Sequence, residues 1–358
     1  MIMTIPQIEG LSTSAMNRVF DDTTATYKFY WLLALLDMHV KENQGEMLAL
    51  KVAARMVAYA WYPIKYFNLF FGKGDSMEVI IPTIANLTGI TVDEKLEDKN
   101  NIITKFVFAN KQVKAEVKKL IKKGPFWFQT PWIRTNDPKE MVLRSQSLEN
   151  DCLYSLTGAG EGLTVTINPK WSQYLKTNYE ILRDFALWNL TLFLQAKNPN
   201  VPNVAGKLLR PEKRDALTVQ TKFWNKVIEI GGPITCIYTD TLLGIKQYEL
   251  DHFMPWSFVS HNQNWNLIPV NGSINSSKSN RIPDLKHYLP KMASEQHKAL
   301  RLYIPVSKQK DAILNEYYAL GASPKDLMQM DDEAFLKKFY DTFSPLSQMA
   351  LNMGFQQF

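Results

Sequence analysis

Apolar residues recur at helical spacing through much of the first half of the chain. Residues 26–40 read TYKFYWLLALLDMHV, and residues 47–62 are rich in alanine and methionine. Both stretches predict buried helices, because apolar side chains at this spacing line one face of a helix or fill a core. Residues 171–197 predict one long amphipathic helix. We therefore expect the first 200 residues to be mainly helical.

Two stretches in this half of the chain have other patterns. Residues 124–139 are punctuated by Pro125, Pro131 and Pro138, so they predict irregular chain or short strands. Residues 151–168 alternate apolar and polar positions around the turn GAGEG. That turn has neither the spacing of a phosphate-binding loop nor a helix directly behind it. The pattern predicts a β-hairpin.

A segment rich in asparagine and proline, residues 198–203, follows the long helix and must end it. Residues 217–230 predict a helix beyond it, and residues 293–358 are mostly helical in pattern. The chain has 358 residues, which suggests about two domains at roughly 100 to 200 residues each. We expect a mainly helical accessory or regulatory module over residues 1–200 and a second domain over residues 201–358.

Composition narrows the class of protein. A hydrophobic fraction of 46% with 12% aromatic residues can fill real cores, which excludes a disordered chain. Cys152 and Cys236 lie far apart, so neither a disulfide framework nor a structural zinc site is expected. The sequence also lacks an apolar run of about 20 residues and a secretory signal pattern. These features predict a cytoplasmic protein without a membrane partner.

Basic residues exceed acidic residues, 41 to 35, and the net charge of +6 is compatible with a nucleic-acid partner. Residues 111–123 contain six lysines and one acid at helical spacing, which predicts a solvated helix face. A second basic group lies after the segment 198–203, and the acids interspersed among its members are Glu212 and Asp215. We expect it to bind nucleic-acid phosphates. Its members are Lys207, Arg210, Lys213, Arg214, Lys222 and Lys226.

The most informative stretch is LDHFMPWSFVSHNQNWNLIPVNGSINSSKSNRIP, residues 250–283. Its aromatic residues need burial, so a compact unit is expected here. His252 could act as a base, because the ordinary histidine pKa of about 6.5 leaves neutral imidazole abundant near pH 7. Asp251 and Asn275 could supply oxygen ligands to Mg²⁺ or Mn²⁺. Phosphodiester hydrolysis needs this combination of base and divalent cation.

The spacing within this stretch permits a strand, a returning strand and a helix. Adjacent residues of a strand point to opposite faces, so Asp251 and His252 can serve different partners. A turn at residues 260–263 would bring a second strand, residues 265–270, alongside the first. A short helix from Asn275 would place Lys278 on the same face three residues later.

The segments LDHFMPWSF, WNLIPV and NSSKSN resemble the HNH endonucleases, also called ββα-metal or His-Me finger nucleases, over about residues 230–285. The resemblance implies that His252 is the general base and that Asp251 and Asn275 bind the metal. It implies that Asn266 braces the loop that orients His252. Lys278 resembles the helix lysine of the family, and we expect it to touch phosphate.

Together these patterns predict an α+β protein that is mostly helical, with an embedded ββα-metal unit over about residues 233–285 and a C-terminal helical extension. The resemblance implies a metal-dependent endonuclease, with DNA favoured as substrate and with bacterial restriction or phage defence as the setting. Residues 1–200 would then serve substrate selection, a protein partner or regulation. Two alternatives stay open: a non-catalytic nucleic-acid-binding scaffold that retains the fold, and an RNA-cleaving nuclease.

Overall fold

The computed structural model of the protein describes residues 4–91, 95–209, 215–307 and 311–358. The chain divides into two compact units, residues 1–199 with 204–210 and residues 200–203 with 211–358. Helices predominate and the sheets are small, so the predicted α+β, mostly helical fold is confirmed. Among the described helices, none combines the length and the apolar character needed to cross a membrane.

The first unit consists of helices around one small sheet. Its helices are α1 (Thr13–Asn17), α2 (Tyr27–Leu36), α3 (Ala49–Lys65), α4 (Met77–Thr88), α5 (Leu96–Ala109), α6 (Lys111–Ile121), α7 (Gly124–Trp127), α8 (Pro138–Ser145), α9 (Pro169–Thr177) and α10 (Tyr179–Lys197). Its strands are β1 (Glu46–Leu48), β2 (Tyr154–Thr157) and β3 (Thr164–Ile167). A π-helical turn, Asp37–Lys41, extends α2, and 3₁₀ turns lie at Leu148–Asn150, Gly160–Gly162 and Ala205–Lys207.

The core of this unit forms around α2, which is buried along nearly its whole length. Trp31 of α2 donates a hydrogen bond to the Tyr154 hydroxyl at 3.0 Å, which joins the helix to strand β2. Strands β2 and β3 form the predicted hairpin, with Leu156 opposite Val165. Strand β1 pairs with the other edge of β3 and places Met47 opposite the same Val165. The start of the predicted helix 47–62 is therefore an edge strand, and the helix begins at Ala49.

One prediction for this unit is wrong, and the other, irregular chain over residues 124–139, is right only for residues 128–137. The predicted helix 171–197 is two helices, because Asn178 leaves helical geometry and its side chain bonds the Tyr174 carbonyl at 3.0 Å. Residues 124–139 contain helical turns and no strand. Pro125 and Pro138 occupy the first turns of α7 and α8, where proline costs no hydrogen bond.

Helix α6 carries the predicted lysine face. Val113 and Val117 are buried beneath it, while Lys114 and Lys118 each pair with Glu161 at 3.3 Å. The face is solvated and partly neutralised by an acid, so the prediction of a surface helix is confirmed.

The second unit consists of helices α11 (Thr218–Gly231), α12 (Trp256–Val259), α13 (Gly272–Lys278), α14 (Leu285–Tyr303), α15 (Ala312–Asn315), α16 (Pro324–Gln329) and α17 (Asp332–Asn352). Its strands form two antiparallel pairs, β4 (Ile234–Thr235) with β5 (Leu242–Leu243), and β6 (Glu249–His252) with β7 (Leu267–Val270). Additional 3₁₀ turns lie at Asn264–Asn266, Ile304–Val306 and Glu316–Leu320.

The C-terminal helices share one core with the strand pair β6–β7. The rings of Phe253 and Trp265 each pack edge-on against Phe343 of α17, with centroids 5.3 Å apart. Gln296 of α14, fully buried, donates to the carbonyls of Asn264 and Leu267 at 2.9 and 2.8 Å. The helical extension therefore supports the turn that leads into β7.

Candidate active site

The strand pair β6–β7 and helix α13 form a ββα unit. The register places Asp251 opposite Ile268 and His252 opposite Leu267. Asn271 starts the helix, because its side chain accepts from the Ser273 amide at 2.9 Å and caps the first turn. The predicted order of strand, returning strand and helix is confirmed.

Asp251 lies on the face of β6 that packs against α13, and it is almost fully buried. Its Oδ1 accepts from the Lys278 ammonium at 2.9 Å, and its Oδ2 accepts from the Tyr238 hydroxyl at 2.9 Å. Burial raises the pKa of Asp251 because it penalises the charged form, while Lys278 and Tyr238 oppose that rise. A carboxylate in this setting depends on its cationic partner.

Lys278 is the last residue of α13 and has no exposed surface. Besides Asp251, its ammonium donates to the backbone carbonyl of His252 at 2.7 Å. This position corrects the expectation that Lys278 touches phosphate. Its contacts instead join the end of the helix to two consecutive residues of the strand.

His252 contacts a different partner, as expected of a neighbour in a strand. Its Nε2 lies 2.9 Å from Oδ1 of Asn262. The Asn262 Nδ2 donates to the Asp215 carbonyl at 3.5 Å, which orients the amide so that its oxygen faces the histidine. Because an amide oxygen only accepts, this orientation favours the neutral tautomer of His252 that carries its proton on Nε2.

Asn266 is fully buried, and its side chain forms two hydrogen bonds with Met254, which lies just beyond strand β6. Its Oδ1 accepts from the Met254 amide at 2.8 Å, and its Nδ2 donates to the Met254 carbonyl at 2.9 Å. Its own backbone carbonyl accepts from Phe253 at 2.9 Å. These contacts fix the chain that leaves His252, and the role of Asn266 in orienting His252 stays a prediction.

Asn275 lies on α13, and its Nδ2 donates to the Glu249 carboxylate at 2.9 Å. That bond leaves the amide oxygen of Asn275 as an acceptor, and the Asp251 carboxylate has lone pairs beyond its two bonds. Oxygen donors of this kind fit a hard divalent cation. In the described part of the chain no cluster of three or more His, Cys, Asp or Glu residues could hold a metal ion. With only one or two protein ligands, a divalent cation here would complete its shell with water and substrate phosphate.

The structure corrects the prediction for one member of the second basic group. Lys207 has no exposed surface, and its ammonium lies 5.7 Å from the centroid of the Phe67 ring. Burial lowers the pKa of Lys207 to about 7, so it is not a surface cation that a phosphate backbone could reach. Arg210, Lys213 and Arg214 of the same group lie outside the described residues, while Lys222 and Lys226 are exposed on α11.

Sequence reasoning missed three polar partners of the predicted site residues. Glu249 had a usable signal, since it stands two positions before Asp251 and so shares its strand face. Asn262 could have been sought as the acceptor that orients a histidine base. Tyr238 had no local signal, because its contact with Asp251 joins residues that only the fold brings together.

Residues 236–284 match the family described as HNH endonuclease. The matched segment contains β6, β7 and α13, so it includes Asp251, His252, Asn266, Asn275 and Lys278. An HNH segment indicates a nuclease, and HNH nucleases generally depend on a divalent metal. Comparison with curated proteins and with solved structures finds no match to the chain.

Replacement of Lys278 should destabilise the second unit strongly. In Lys278→Met the Asp251 carboxylate stays buried without its cation, and loss of one partner from a buried pair costs about 3–5 kcal/mol. The double variant Asp251→Asn/Lys278→Met also removes the unpaired Asp251 carboxylate, so it should recover much of the lost free energy of unfolding. Urea denaturation measures the free energy of unfolding of each protein.

Lys226→Met is the matched control, because Lys226 is an exposed lysine of the same unit that pairs with Glu229 at 3.0 Å. Exposed pairs contribute about 0–1 kcal/mol, so this variant should remain close to wild type. Equal stability of Lys278→Met and Lys226→Met would show that the buried pair does not hold the site together.

The tautomer of His252 can be measured directly. Long-range ¹H–¹⁵N NMR should show neutral His252 protonated at Nε2, because the Asn262 oxygen accepts there. Asn262→Asp keeps an acceptor and should keep this tautomer, whereas Asn262→Leu should yield a mixture. The chain has five histidines, so a His252→Gln variant assigns the signal. A wild-type signal from the Nδ1-protonated form would contradict the assignment of Nδ1 as the basic nitrogen.

Proposed function

We propose that this protein is a metal-dependent endonuclease that hydrolyses phosphodiester bonds in DNA, with His252 as general base and Asp251 and Asn275 as metal ligands. One observation supports the proposal above the others. The strand β6 presents a carboxylate toward α13 and a histidine toward Asn262, and the Asn262 oxygen supports the tautomer whose lone pair lies on Nδ1. A base whose ring is held in a fixed orientation is what the proposed chemistry requires.

In the proposed reaction, His252 Nδ1 takes a proton from the water that attacks phosphorus. Asn262 holds the ring through Nε2, so the imidazole is oriented before the proton moves and its positive charge is stabilised afterwards. Asn266 keeps the chain after His252 in place by its two bonds to Met254. When bound, a divalent cation would neutralise charge that develops on the phosphate and on the leaving oxygen.

Lys278 has a positioning role in this proposal. It contacts the Asp251 carboxylate and the His252 carbonyl, so it fixes the proposed ligand and the proposed base relative to α13. Glu249 acts similarly on Asn275, since its carboxylate accepts from the amide nitrogen and leaves the amide oxygen for the cation. A role in bacterial restriction or phage defence is proposed on the family resemblance alone.

The test is cleavage of plasmid, linear duplex and single-stranded DNA, and of RNA, with Mg²⁺, Mn²⁺ or a chelator. We expect DNA cleavage with either metal and none with the chelator. Asp251→Asn removes a charge from the proposed ligand and leaves the Lys278 ammonium without its counter-charge, so it is assayed well below its own melting temperature. Asn275→Ala removes an oxygen. Each should raise the half-saturating metal concentration by at least about tenfold, because even outer partners of a metal ligand are worth about 10- to 100-fold.

Asn280→Ala is the matched control, because Asn280 is exposed and follows the same helix. It should keep the metal dependence of wild type. Cleavage of RNA alone would reassign the substrate. Cleavage that persists in the chelator, or unchanged metal dependence in both ligand variants, would remove Asp251 and Asn275 from a metal site.

A further inference from the structure

A cavity of about 720 Å³ opens in the first unit, built only from first-unit residues. One wall comes from residues 22–28 at the start of α2, and the other comes from residues 123–136 around α7. Its volume lies in the range of about 300–1,000 Å³ that is typical of small-molecule sites. The proposed nuclease chemistry uses none of its residues.

Buried contacts fix both walls of the cavity. On the first wall, the Thr26 amide and hydroxyl both donate to the buried carboxylate of Asp75, at 2.6 and 2.7 Å. On the second wall, Gln129 donates to the Tyr154 carbonyl at 2.8 Å, and the Tyr154 hydroxyl donates to the Pro125 carbonyl at 2.7 Å. The cavity is therefore preformed, and a ligand would not have to order its walls.

The second wall offers two cations, Lys123 and Arg134, both exposed. Within the described residues neither forms an ion pair with a carboxylate. Other surface cations of this unit do so, for example Arg144, which pairs with Glu140 at 3.0 Å. Lysine and arginine side chains that line a cavity and form no ion pair with a carboxylate suit an anionic group, phosphate above all.

The first wall carries an acidic side chain, and each wall carries an aromatic ring. Asp22 contributes a carboxylate, and the Lys28 ammonium donates to the Asp22 backbone carbonyl at 2.8 Å. Tyr27 and Trp127, both half-buried, place one aromatic ring on each wall. Burial raises the pKa of Tyr27, and the nearby carboxylates of Asp22 and Asp75 raise it further. Its hydroxyl therefore remains a donor at neutral pH.

These features select among anionic ligands. Asp22 would repel a bare inorganic anion, but it can accept from the hydroxyl or amino groups of a larger ligand. Aromatic rings offer stacking surfaces to a planar base, an interaction worth a substantial part of the binding energy in nucleic-acid sites. Phosphate, a planar base and hydroxyl donors occur together in a nucleotide.

We propose that this cavity binds a nucleoside phosphate, with Lys123 and Arg134 on the phosphate, Trp127 and Tyr27 beside the base and Asp22 on hydroxyl or amino donors. The ligand could be a free nucleotide or the 5′-phosphorylated end of a strand, since both carry the same chemistry. The proposal goes beyond the nuclease site and does not depend on it.

Isothermal titration calorimetry of the full chain tests the proposal, with a chelator present so that metal-dependent binding elsewhere is suppressed. The probes are AMP, ATP, a 5′-phosphorylated dinucleotide, its unphosphorylated form and inorganic pyrophosphate. We expect the phosphorylated nucleotides to bind more tightly than pyrophosphate and than the unphosphorylated dinucleotide. Binding of AMP or ATP identifies a free nucleotide as sufficient, whereas binding of the dinucleotide alone identifies a strand end.

Arg134→Gln and Lys123→Gln should each weaken binding by at least about tenfold, because a hydrogen bond to a charged group is worth about one to two powers of ten in affinity. Trp127→Leu should reduce the preference for nucleotide over pyrophosphate. The matched controls Arg144→Gln and Lys119→Gln remove exposed cations that pair with Glu140 and Glu116, and both should bind like wild type.

Melting temperatures confirm that each variant is folded. The proposal is overturned if no probe binds at millimolar concentration, if pyrophosphate binds as tightly as the nucleotides, or if Arg134→Gln and Lys123→Gln bind like their controls.

Discussion

The buried ion pair between Asp251 and Lys278 is the interaction on which the geometry of the candidate site depends. Taking two charges out of water is costly, and such a pair often adds little net stability. It does specify position, because neither charge tolerates burial without the other. The Lys278 ammonium contacts both the Asp251 side chain and the His252 carbonyl, so the end of α13 has one acceptable location against β6. That contact therefore sets the relative positions of the proposed metal ligands, Asp251 on the strand and Asn275 on the helix.

The opposite face of the strand is fixed by neutral hydrogen bonds. Asn262 orients the His252 ring, Asn266 holds the chain that follows, and Gln296 of α14 secures the turn before β7. Tyr317 donates to the Gln296 side chain at 2.6 Å, so a further C-terminal segment supports the same turn. A buried polar network of this kind rigidifies a site only when its members are satisfied. The C-terminal helices therefore contribute directly to the placement of the proposed base.

Much of this arrangement could be predicted from local pattern. The alternation in β2 and β3, the apolar spacing of α2 and the order of β6, β7 and α13 are all set by residues close together in sequence. Contacts between residues that lie far apart in the sequence could not be predicted in this way. The edge strand β1 exists because β3 offers it a partner, and Tyr238 meets Asp251 only in the folded unit. The burial of Lys207 and Lys278 was missed because a lysine in a basic or polar stretch is usually exposed.

The cleavage rate of His252→Ala under saturating Mg²⁺ tests the proposal that His252 is the general base of a nuclease. Loss of a general base should lower the rate by about 10² to 10⁴. DNA affinity and melting temperature should remain at wild-type values, because the variant leaves the Asp251–Lys278 pair intact. A folded His252→Ala protein that cleaves DNA at the wild-type rate would contradict the account.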